Sequence, residues 1–109
     1  MATHAVTMET FELTVDTHDW VILDFWADWC QPCKIFSPIF EQFSELHPDV
    51  YFGKVNTEAS DSVELAAAFR VQSIPTLMAF RKGELVFEQL GLLQPQAMEQ
   101  LITQLKRRS

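Results

Sequence analysis

The run Trp20-Val-Ile-Leu-Asp-Phe-Trp26 admits one charged side chain in seven positions. It is rich in strand formers and does not alternate between apolar and polar residues, the pattern of a strand covered on both faces. A strand of that kind belongs in a sheet with helices on either side. The rest of the chain must therefore supply further strands and amphipathic helices, and its periodicities do so. Ala5 to Met8 reads as a short first strand, and Phe11, Thr14 and Val15 recur at helical spacing after it. From Pro32 to about Leu46, Ile35, Phe36, Ile39, Phe40 and Phe43 mark an amphipathic helix. Pro38 inside it should bend it, because proline lacks an N–H and crowds the preceding turn.

Val50-Tyr-Phe-Gly-Lys-Val-Asn56 reads as a second buried strand. A helix from Asp61 through Val63, Leu65, Ala66 and Phe69 follows, with Ser60 or Asp61 able to cap it. Thr76 to Phe80 and Glu84 to Leu90 form a hairpin across Arg81-Lys82-Gly83, with glycine where a positive φ is expected. The last helix begins near Pro95 and carries Met98, Leu101, Ile102 and Leu105 on one face. The order β-α-β-α-β-α-β-β-α predicts an α/β fold with a mixed sheet and helices on both faces. At 109 residues the chain has room for one domain, spanning 1–109, and its nine Phe and three Trp suffice for one core.

Charge narrows the function classes. Lys106, Arg107 and Arg108 are three of eight basic residues, so five basic side chains face fifteen acidic ones over the preceding chain. A body that acidic repels phosphate backbones, which argues against nucleic-acid binding. The basic triplet reads as cations favoured at a helix C-terminus. No apolar run approaches the ~18 residues that a membrane helix needs. The opening residues show no basic region leading into an apolar stretch, so the expectation is a cytoplasmic protein without a membrane partner.

Chemistry concentrates in Trp29-Cys30-Gln31-Pro32-Cys33, where the buried strand gives way to the long helix. Residues three apart in a first helical turn have neighbouring Cβ atoms, which suits a disulfide. Cys30 would sit at the helix N-terminus, where unpaired N–H groups and the helix dipole favour a thiolate. Cys33 would lie one turn inside, less exposed, placed to attack a mixed disulfide formed by Cys30. Two alternatives stand beside this redox dithiol. One is a structural disulfide, which would constrain little of the unfolded chain across so short a loop. The other is half of a zinc site, although the chain has no other Cys, and His4, His18 and His47 show no paired spacing. No metal is expected.

Four segments carry a resemblance to the thioredoxin family: Val21 to Lys34, Lys54-Val-Asn56, Ser73-Ile-Pro-Thr76, and Lys82-Gly-Glu84 with Leu90-Gly91. Their order and spacing follow the family across essentially the whole chain. The resemblance implies a central five-stranded mixed sheet flanked by four helices. It implies reduction of protein disulfides by dithiol exchange, with Cys30 as nucleophile and Cys33 as resolving thiol. It implies no bound cofactor, with electrons supplied by a thioredoxin reductase drawing on NADPH, and a monomer whose partners are that reductase and disulfide-bearing proteins.

The same resemblance singles out further residues. Ile74-Pro75 matches the family's cis-proline segment, which faces the dithiol and offers backbone groups to an extended substrate. Trp29, Ile74, Pro75, Gly91 and Leu92 would form a shallow apolar rim around Cys30, suited to transient docking of unrelated proteins. Asp24, embedded in the apolar run, is desolvated, which raises its pKa and fits it to exchange a proton with Cys33. Lys54, on a strand that the family places alongside, could reach Asp24 and offset part of that shift. A buried ion pair without catalytic purpose is the competing reading of this pair. Gln31 departs from the glycine most common in the family, so Gln31 and Pro32 bear on redox poise. An oxidase or isomerase, or a binding module that holds clients without turnover, are the competing functions.

Overall fold

A computed structural model of the chain describes residues 2–107. Its elements are β1 (Thr3–Ala5), α1 (Met8–Thr17), β2 (Trp20–Trp26), α2 (Gln31–Leu46), β3 (Tyr51–Asn56), α3 (Val63–Ala68), β4 (Thr76–Arg81), β5 (Glu84–Leu90) and α4 (Pro95–Arg107). The sheet order is β1-β3-β2-β4-β5. β1, β3 and β2 run parallel, and β4 and β5 are antiparallel to their neighbours. This is the five-stranded mixed sheet with four helices that the sequence predicts.

β2 is the central strand and is buried on both faces, as β4 beside it is. Val21 to Phe25 are all buried, and successive side chains go to opposite sides. Ile22 points with Phe52, Leu77 and Ala79 into a core completed by Phe36 and Phe40 of α2 and Met98, Ile102 and Leu105 of α4. Val21, Leu23 and Phe25 point the other way, with Val55, Met78 and Phe80, against Val15 of α1 and Leu65 of α3. The sheet thus separates two cores. Asp24 belongs by alternation to the α2/α4 side, opposite Lys54 on β3 and Leu77 on β4.

Local hydrogen bonding accounts for several departures from the sequence reading. The first strand is Thr3–Ala5 rather than Ala5 to Met8, because Thr7 caps α1. Its side chain accepts the Thr10 amide and the Thr10 hydroxyl accepts the Thr7 amide, so Met8 opens a helix instead of closing a strand. α3 starts at Val63, not Asp61, and the Ser62 hydroxyl donates to Asp61 rather than accepting a helix amide. Val63 is exposed, and Phe69 falls just beyond the helix end. Ile35 is likewise exposed, since the buried stripe of α2 runs through Cys33, Phe36, Phe40 and Phe43, one residue to its side. α2 continues through Pro38 over sixteen residues.

The β4–β5 hairpin turns through Lys82 and Gly83, both with positive φ (50° and 83°), as a two-residue turn matched to strand twist requires. A register shift interrupts the β4–β5 ladder between Ala79 and Phe80. Lys106 and Arg107 occupy the last turn of α4, and Lys106 donates to Asp49 at 3.0 Å. Arg108, the third member of the basic triplet, lies outside the described residues. No helix among the described residues is long and apolar enough to cross a membrane.

Gly53 lies mid-strand in β3, paired with Leu23 on β2 and His4 on β1. A Cβ there would meet Val6 Cγ2 at 2.6 Å and Leu23 Cδ2 at 2.7 Å, both buried. Alanine would gain roughly 0.5–1 kcal/mol of backbone entropy, against an overpacking cost of about 1–3 kcal/mol. Gly53→Ala should therefore lower the unfolding free energy measured in denaturant, and adding Val6→Ala should return less than its own separate cost. Unchanged stability in Gly53→Ala would show that these methyl groups have room to move.

Candidate active site

β2 ends at Trp26, whose carbonyl accepts the Thr57 amide at 2.9 Å. The chain then turns at once: the Cys30 amide donates to the Ala27 carbonyl at 3.2 Å, and α2 begins at the next residue. Cys30 is the N-cap of α2, and its Sγ accepts the Cys33 amide at 3.2 Å. Sulfur here takes the place that a Ser or Asp oxygen fills in an ordinary cap. Pro32 has no amide to offer, so the Cys33 N–H is the first-turn donor aimed at that sulfur.

Cys30 and Cys33 are joined as a disulfide with Cα atoms 5.2 Å apart, within the span such a bond accepts. The expected difference in exposure between them is absent: Cys30 is 3% and Cys33 4% exposed. Ile74 packs over the pair, and its carbonyl oxygen lies 3.6 Å from Cys30 Sγ. What distinguishes the two sulfurs is position at the helix start. Gln31 and Pro32 between them are exposed.

The Ile74–Pro75 peptide bond is cis. The Pro75 carbonyl accepts the Gly91 amide at 2.8 Å, tying the loop after β5 to the loop that faces the disulfide. Gly91 has φ +87, a conformation that favours glycine. The five residues expected to form an apolar rim differ in accessibility. Trp29 is 69% exposed, Ile74, Gly91 and Leu92 are half-buried, and Pro75 is buried. Leu92 also packs against the α2/α4 core. A groove of about 290 Å³ runs from Trp29 and Ile74 to Val63, Ala67 and Val71 on and beyond α3. Sequence reasoning did not find that extension.

Asp24 is 1% exposed and its Oδ1 has no hydrogen-bond partner. Burial pushes its pKa up to about 7, and the Lys54 ammonium pulls against that rise. Lys54 offsets part of the shift, as the sequence predicts, although its own hydrogen bond goes elsewhere. Its Nζ donates to Ser37 Oγ at 2.9 Å and lies 5.2 Å from the centroid of the Trp26 ring. A cleft of about 110 Å³ opens here, lined by Trp26, Ala27, Asp28, Cys33, Lys34, Ser37 and Lys54. Solvent thus reaches the vicinity of Cys33 through this cleft. Ser37 escaped the sequence reading, although it stands four residues after Cys33 and so shares its helix face.

A family model described as Thioredoxin matches residues 2–104. A Streptomyces coelicolor protein assigned as thioredoxin 2 is 46% identical over 106 residues, covering 97% of this chain and 78% of that protein. The thioredoxin of Alicyclobacillus acidocaldarius is 37% identical, covering 95% of each chain. A solved structure of a mutant thioredoxin from Halobacterium salinarum superposes with a TM-score of 0.88 at 30% identity, covering 98% of this chain and 93% of that one. With its two adjacent cysteines at the start of α2, the chain belongs to the thioredoxin family and is a thiol–disulfide oxidoreductase.

Proposed function

We propose that this chain, acting as one domain over residues 1–109, reduces disulfides of other proteins with Cys30 as attacking thiol and Cys33 as resolving thiol. The observation that carries the assignment is the cap: Cys30 Sγ receives the Cys33 amide at the N-terminus of a sixteen-residue helix. A negative sulfur gains there from an unpaired N–H and from the helix dipole, and Cys33, inside the turn, does not.

The reduced Cys30 thiolate attacks one sulfur of a substrate disulfide, forming a mixed disulfide and releasing the other sulfur as a thiolate. Cys33 then loses its proton and attacks Cys30 Sγ, re-forming the Cys30–Cys33 bond and releasing the second substrate sulfur. Two electrons pass from the protein to the substrate. Asp24 accepts the Cys33 proton as a carboxylate, and a pKa of about 7 leaves both of its forms populated near neutrality. Lys54 keeps a positive charge near that carboxylate.

Trp29, Ile74, Pro75, Gly91 and Leu92 receive the substrate in this reading, with Trp29 supplying exposed apolar surface and the backbone around Pro75 pairing with an extended segment. Gln31 and Pro32 tune the potential. An NADPH-dependent thioredoxin reductase returns the electrons, no cofactor is bound, and the protein works as a cytoplasmic monomer.

Cys33→Ser should accumulate mixed disulfides with a disulfide-bearing protein on a non-reducing gel, whereas Cys30→Ser should accumulate none. Equal trapping by both would contradict the assignment. Gln31→Gly should lower the reduction potential by ~10–30 mV, read by thiol labelling across a glutathione series. A rise would mean that Gln31 stabilises the disulfide.

Asp24→Asn should slow turnover and raise stability, with a defined pH dependence. The folded state holds the Asp24 proton more tightly than the unfolded chain, so wild-type stability falls as pH rises from the ordinary carboxylate range to about 7. The gain from Asn should be absent near pH ~4 and reach on the order of 2–4 kcal/mol above neutrality, where the buried charge is removed. Denaturant unfolding at both pH values tests this. A pH-independent difference would sever the link to the Asp24 proton.

A further inference from the structure

Lys54 and Asp24 are direct register partners on adjacent strands and face the same side of the sheet. An ammonium on a flexible four-carbon stem would ordinarily settle on a buried carboxylate within reach, yet Asp24 Oδ1 is left without a partner. The Lys54 ammonium is held elsewhere, by the Ser37 hydroxyl at 2.9 Å and above the Trp26 ring. Ser37 stands one helical turn after Cys33 and lines the same cleft as Cys33 and Lys54.

We propose that Ser37 is a positioning residue that parks the Lys54 ammonium at the cleft beside Cys33 and so keeps it off the Asp24 carboxylate. This rests on the reading of Asp24 as the group that takes the Cys33 proton. An ammonium bonded directly to that carboxylate would make it a poor base, because a close opposite charge favours the ionised form. An ammonium drawn fully into solvent would leave Asp24 neutral over a wider pH range. The parked position sits between these limits. The other charged groups lining the cleft are Asp28, in the loop before α2, and Lys34, in its first turn. Against Asp24 itself, β4 contributes the apolar Leu77 and β3 contributes Lys54.

The variants are Ser37→Ala, which removes the hydroxyl, and Ser37→Thr, which keeps one. The first readout is the titration midpoint of the Asp24 carboxyl carbon, followed by NMR in the oxidised protein. The second is the pH profile of protein-disulfide reduction. Ser37→Ala should free the ammonium to close on Asp24 and lower the midpoint by about one pH unit, and Ser37→Thr should restore it. In a Lys54→Met background the Ser37→Ala change should leave the midpoint unmoved. A lowered midpoint with a turnover profile shifted in the same direction supports both readings. A lowered midpoint with an unchanged profile supports the positioning by Ser37 and overturns the role given to Asp24. An unmoved or raised midpoint in folded Ser37→Ala protein overturns the positioning, whatever turnover does.

Discussion

Everything at the reactive end of the molecule hangs on the burial of β2. The strand is paired on both edges and covered on both faces, so its C-terminal end is fixed in three dimensions. The Trp26 carbonyl pairs with Thr57, and the Ala27 carbonyl with Cys30, which converts a rigid strand end into a rigid helix start within four residues. A helix N-terminus placed by a loose loop could not hold one sulfur at capping distance from a specific amide. Here the register of the sheet sets the cap, and the proposed preference for a Cys30 thiolate rests on that cap.

The same burial imposes a cost. Alternation along β2 sends position 24 into the α2/α4 core, where aspartate lacks a full set of partners. Fold stability alone would favour an apolar residue there. In the proposed mechanism that acid takes the Cys33 proton, and a cleft open to solvent reaches Cys33 and Lys54. The stability forgone at Asp24 and the chemistry available at Cys33 are two results of one packing decision.

The architecture was legible from the sequence because its signals are strong and redundant. The almost unbroken apolar run made β2 unambiguous, and the stripe of Phe36, Phe40 and Phe43 did the same for α2. What the sequence hid was decided by single hydrogen bonds. A threonine at position 7 suits a strand as well as a cap, and only the reciprocal bonds with Thr10 decide between them. Ile35 and Val63 look like core residues until the azimuth of their helices is known. At the site, spacing located both cysteines and strand context located Asp24. The partner of Lys54 depended on side-chain geometry across α2 and β3, which no local pattern encodes.

The division of the interior into two cores has a consequence for how this protein can change. Asp24 and Lys54 face the α2/α4 side by register, Cys33 and Ser37 lie on α2, and Cys30 caps it, while Val15, Leu65 and Phe80 fill the opposite side. Sheet and helix layers pack about 10 Å apart, and perturbations separated by that distance without shared partners add rather than couple. Apart from Val63, Ala66 and Ala67, which line the groove reaching Trp29 and Ile74, the α1/α3 side is therefore a reservoir of stability that sequence drift can draw down or replenish without retuning the dithiol. Substitutions around the cleft on the other side meet a different rule, since Trp26, Lys34, Ser37 and Lys54 share it with Cys33. A lineage of such chains should vary its robustness and its chemistry along nearly independent axes, one for each face of the same sheet.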